Sequence, residues 1–161
     1  MNQEAIHEVR AAYHQVFLSP EDAWPDLRSD WRPGWVVEVD GDQGLILCTG
    51  CSHGPVEVSV RALDFVPADG LDVAISGGWE VGEERDCEIA EALFLTSPDP
   101  DGPPIEVFRP ASPGLFRIRV LARGRAGDAD QYVATPTERF EVTLWNVDAA
   151  RPLERVGGDG V

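Results

Sequence analysis

The string Cys48-Thr49-Gly50-Cys51-Ser52-His53 gathers the residues best equipped for chemistry. Cys-x-x-Cys beside an imidazole offers three soft or borderline ligands, and Cys87 is a candidate for the fourth corner of a tetrahedral zinc site. A turn at Thr49-Gly50 would bring both sulfurs to one side. Structural zinc sites, however, usually draw their second ligand pair from another tight turn, and Cys87 stands alone. A thioredoxin-like role needs a helix N-terminus to acidify the thiol, and nothing in the sequence starts a helix at Cys48. The expected reading is no resident cofactor. Its alternative is a zinc-binding domain or metal-dependent enzyme centred on Cys48, Cys51 and His53, with Cys87.

Other chemistry finds less support. Asp40-Gly41-Asp42-Gln43-Gly44 and Asp99-Pro100-Asp101-Gly102 resemble fragments of calcium loops, but neither has the full ligand series or a closing bidentate Glu, and Asp-Gly is a common hairpin turn. No serine sits in a Gly-x-Ser-x-Gly elbow, the histidines are His7, His14 and His53, and no glycine-rich phosphate loop precedes a helix. These residues point to a protein that is not an enzyme.

Charge points toward binding. The 161 residues carry 29 Asp+Glu against 13 Lys+Arg, a formal charge of −16. That balance disfavours nucleic acid or an anionic membrane as direct partner, since both require cations to neutralise phosphate. No apolar run approaches the roughly 20 residues needed to cross a bilayer. Residues 1–10 lack a basic-then-apolar layout, so no signal peptide is expected, and an odd count of 3 cysteines suits a reducing, cytoplasmic setting. Oligomeric state is left open.

The acids cluster in the sequence. Residues 19–42 hold seven acids against two arginines, and residues 80–101 hold eight against one. The first segment also contains Trp24, Trp31 and Trp35, three of the 5 tryptophans. Indoles among carboxylates can anchor a partner while the charge steers it. The candidate partner-binding residues are therefore Trp24, Asp26, Asp30, Trp31, Trp35, Glu83, Glu84 and Asp86. Read structurally, the same tryptophans form a lid over an open edge, with the acids solvated. Arg117, Arg119, Arg123 and Arg125 alternate with other residues and should share one outer sheet face. In so acidic a chain they read as an exposed ladder with Glu141 and acids of a neighbouring strand rather than as a phosphate site.

The elements that must position these residues are strands. Val56/Val58/Val60, Phe116/Ile118/Val120 and Phe140/Val142/Leu144 each alternate with polar or charged residues, the period of a half-buried strand. Shorter strands are expected over 9–18, 35–40, 44–49, 71–76, 87–96 and 105–108, punctuated by Asp-Gly, Gly-Gly and Pro-Gly turns. The fold class is all-β, an antiparallel two-sheet sandwich of about eight or nine strands with a long Trp/Asp-rich loop. Residues 1–147 form a single domain, and 148–161 a flexible C-terminal tail.

Three stretches carry a resemblance. Ala12-Tyr13-His14-Gln15-Val16-Phe17-Leu18 looks like an opening strand, Pro113-Gly114-Leu115-Phe116-Arg117-Ile118-Arg119-Val120 through Arg123-Gly124-Arg125 a late one, and Glu138-Arg139-Phe140-Glu141-Val142-Thr143-Leu144-Trp145 the last. In this order they resemble acidic bacterial β-sandwich proteins and, more distantly, the competence-nuclease inhibitor family, small acidic proteins that block a nuclease. The resemblance implies a fold, and no inhibitory residue transfers with it. Charge, tryptophans and resemblance together predict a non-enzymatic binding protein of immunity or nuclease-inhibitor type, docking a basic protein through an acidic face.

Overall fold

The computed structural model describes residues 5–23, 25, 36–39, 44–99 and 102–158. Trp24, Asp26, Asp30, Trp31 and Trp35, the anchors expected in the long loop, lie outside the described residues.

Among the described residues, eleven strands form two sheets. They are β1 (Ile6–Ala11), β2 (Gln15–Ser19), β3 (Val37–Val39), β4 (Leu45–Cys48), β5 (Gly54–Leu63), β6 (Val81–Ile89), β7 (Leu93–Thr96), β8 (Ile105–Phe108), β9 (Gly114–Arg123), β10 (Arg139–Asn146) and β11 (Glu154–Gly157), with one short helix, α1 (Leu71–Ile75). The first sheet runs β1-β5-β10-β9-β6-β11 and the second β3-β4-β2-β7-β8. All pairings are antiparallel except β5 with β10. Val9, Val56, Val58, Ile118, Val120, Phe140 and Val142 of the first sheet meet Val16, Leu18, Leu45, Leu47 and Leu95 of the second in one apolar core. Alternation puts every second side chain of each strand on that core. The two-sheet sandwich expected from the sequence is the architecture found. No helix among the described residues is long and apolar enough to cross a membrane.

Four local readings change. Residues 9–18 are not one strand: the chain leaves the first sheet at Ala11, turns at Tyr13 and His14, and enters the second at Gln15. Residues 87–96 likewise divide, because β6 begins at Val81 and the chain changes sheet between Ile89 and Leu93. Leu71–Ile75 is helical. Leu71, Ala74 and Ile75 fit helical spacing as well as Leu71, Val73 and Ile75 fit a strand, and the Ala74 N–H donates to the Gly70 carbonyl at 3.1 Å. The C-terminal stretch is not a free tail across 154–157, where β11 adds an edge strand to β6.

Candidate binding site

The acids of β6 are held inside the fold. Cross-strand register sets Glu84 against Arg119 and Asp86 against Arg117. Arg117 has no exposed surface: its Nε donates to Glu84 at 3.2 Å, Nη1 to Asp86 at 3.1 Å and Nη2 to the Pro152 carbonyl at 2.8 Å. Arg119 Nε donates to the other Glu84 oxygen at 2.8 Å, and its guanidinium lies over the Trp145 ring. Glu83 sits on the opposite face of β6, accepting the Val36 N–H at 2.6 Å and Arg155 Nε at 3.1 Å. Burial pushes its carboxyl above the usual glutamate range despite these donors.

The structure therefore corrects two sequence expectations. Glu83, Glu84 and Asp86 are not presented on a docking face, because their carboxylates are turned to arginines and backbone. Arg117 and Arg119 pair with acids of the neighbouring strand β6 as expected, while the ion pair of Glu141 is with Arg61. Both arginines are buried rather than solvated, Arg117 bonded to the 151–152 carbonyls and Arg119 to the Asp69 carbonyl before α1. Arg125 leaves the face altogether, since Gly124 (φ +80°) turns the chain after β9 and carries Arg125 inside. Among the described residues, exposed acids include Glu8 on β1, Glu21 and Asp22 after β2, Asp64 and Asp69 after β5, and Glu91 after β6.

The residues of the Cys48–His53 string part company. All three cysteines are buried and none forms a disulfide. Cys51 faces Glu138, and burial together with that carboxylate pushes its thiol up to about 12. Cys87 lines a cleft of about 590 Å³ between the sheets, where burial pushes its thiol up to about 11. Both shifts oppose the thiolate that a nucleophile needs. Among the described residues no group of three His, Cys, Asp or Glu is arranged to hold a metal ion.

What the string builds is a loop platform. The Gly50 and Cys51 N–H groups donate to Glu138 at 3.0 and 2.6 Å, anchoring the β4–β5 loop to the start of β10. Asp130 N–H donates to the Gly50 carbonyl, Ser52 N–H to Gln131 and Val133 N–H to His53, each at 2.9 Å. His14 Nε2 contacts Asp130 at 2.9 Å. On top, the His53 ring stacks on Tyr132 (centroids 4.5 Å apart, planes 4° apart) and meets Tyr13 edge-on at 4.9 Å. Both of the chain's 2 tyrosines are thus in this cluster. Neither stands out as a site residue from composition or spacing; the available signal is that each tyrosine lies within one residue of a polar turn.

Gly50 is the hinge pin of this platform. A Cβ there would lie 2.0 Å from the Arg125 carbonyl oxygen. Gly50→Ala should lower stability in urea denaturation by about 1–3 kcal/mol, as overpacking does. Gly158→Ala, with nothing within 4 Å, should leave the midpoint unchanged.

Fold and platform define an open two-sheet β-sandwich with an aromatic cluster built by loops at one end. Among solved structures the chain is similar to the crystal structure of ComJ, inhibitor of the DNA degrading activity of NucA, from Bacillus subtilis. The TM-score is 0.55 at 12% identity, covering 91% of this chain and 99% of ComJ. The distant resemblance carried by the three strand segments is thereby matched in fold. No protein-family model and no curated protein sequence matches the chain.

Proposed function

We propose that the protein is an inhibitor-type binding protein whose target is a basic protein of the nuclease class. The observation that carries this reading is the likeness to ComJ across nearly the whole of both chains. The charge of −16 fits it: a negative field speeds encounter with a cationic target and deters nucleic acid. In such a complex the protein would act by covering the nuclease surface rather than by chemistry of its own.

The test uses the DNA-degrading nuclease of the same organism most similar to NucA, with supercoiled plasmid as substrate. Degradation should stop near equimolar inhibitor at about 50 mM salt, and binding should weaken at least tenfold by about 500 mM as the charges are screened. Full nuclease activity at a large molar excess in low salt overturns the proposal.

A further inference from the structure

Among the described residues, the non-glycine positions with positive φ are Tyr13 (54°), His14 (63°) and Asp130 (62°). All three belong to the loop platform. Left-handed backbone is unfavourable for residues with a Cβ, and a bulky tyrosine in a two-residue turn stands where asparagine or glycine would relax the chain. Strain of this kind persists where a side chain is being aimed. What it aims is exposed: Tyr13 is 56% and Tyr132 76% accessible, with His53 wedged between them.

The support beneath is stiff, with backbone hydrogen bonds tying 14 to 52, 49 to 14, 52 to 131 and 130 to 50. Rigid aromatic rings with little conformational entropy left to lose are the usual anchors of protein contacts. On the loop that carries Tyr132 the exposed charge is acidic, while Arg10 of β1 is the exposed cation on the neighbouring strand. Arg125, the one cation in residues 124–133, has no exposed surface, while the Asp130 side chain is 75% exposed.

We propose that the Tyr13–His53–Tyr132 ledge is the contact surface for a basic protein, its rings receiving an arginine or lysine side chain. A guanidinium or ammonium laid across an exposed ring gains from the ring's negative face, and the Asp130 carboxylate beside it adds charge complementarity. This assignment rests on the basic-partner reading above and adds the place on the fold where that partner sits.

Two variants test it. Tyr13→Asn suits the left-handed turn, and Tyr132→Ser removes the outer ring; together they should leave the thermal midpoint unchanged or raised. The same double variant should lose at least about tenfold in nuclease inhibition, the loss expected of a removed anchor. A merely structural role would lower stability instead. In parallel, a tetra-arginine peptide titrated into the labelled wild-type protein should shift the NMR signals of Tyr13, His53 and Tyr132 first.

Inhibition that persists in the double variant overturns the ledge while leaving the inhibitor function standing. Failure of the wild type to inhibit overturns the nuclease reading, and the peptide titration then decides the ledge alone. Shifts spread evenly over the acidic surface overturn it. Concentration-dependent self-association abolished by the double variant also overturns it, by assigning the ledge to a second copy of the chain.

Discussion

Arg117→Ala is expected to destabilise the protein by about 3–5 kcal/mol, the loss that follows when one member of a buried ion network is deleted. Arg117 is fully buried and has hydrogen bonds to Glu84, Asp86 and the carbonyls of Arg151 and Pro152. Its removal leaves Glu84 with Arg119 alone and strands two C-terminal carbonyls. Because the same guanidinium ties residues 151–152 to the sheet, β11 should lose protection first. Urea denaturation gives the magnitude, and hydrogen exchange at 154–157 should rise in the variant even where β9 and β10 stay protected. Arg117→Lys keeps the charge but not the planar fork, so it should fall between wild type and alanine. An alanine variant within about 1 kcal/mol of wild type would mean that the pairs are solvated, as exposed salt bridges are.

That network also shows where sequence reading stops. Alternation located the inner faces of β5, β9 and β10, since Val56, Ile118 and Phe140 each fall in the core. Alternation is a local property, and it cannot say what lies over the outer face. Arg117 and Arg119 are indistinguishable in sequence from a solvated stripe; the return of residues 151–152 and of the loop before α1 to that face brings carbonyls onto them. Acid clustering along the chain misled in the same way. Glu83 and Glu84 are adjacent in sequence but point to opposite sides of β6, one toward the Val36 backbone and the other toward Arg119. Glu138 and Tyr132 were illegible for a further reason. Their partners Cys51 and His53 lie 87 and 79 positions away, and no spacing rule reaches across two sheets.

Glu138 gives the second large effect. Its carboxylate, 1% exposed, accepts the Gly50 and Cys51 N–H groups, and alanine there would orphan both donors and remove the acid whose charge interacts with buried Arg125. Glu138→Ala should lower stability by about 3–5 kcal/mol and loosen the aromatic platform with it. Glu138→Gln keeps the shape and isolates the proton. Burial raises the Glu138 carboxyl above its ordinary 4.5, outweighing the hydrogen bonds from Cys51 and Gly50 that pull it down. The folded chain therefore keeps this proton at a pH where the unfolded chain has released it. Its stabilising contribution is complete below that ordinary value and is lost as pH rises through the folded one. Glutamine cannot titrate, so the stability of wild type relative to Glu138→Gln should be highest near pH ~4 and fall toward pH ~7. Glu83 has the same sign and remains in both proteins, so the difference between their pH profiles belongs to Glu138. Urea midpoints measured across that range settle the point. A wild type that gains on the glutamine variant as pH rises would show that the two N–H donors outweigh burial, and that the loop is held by a full carboxylate charge.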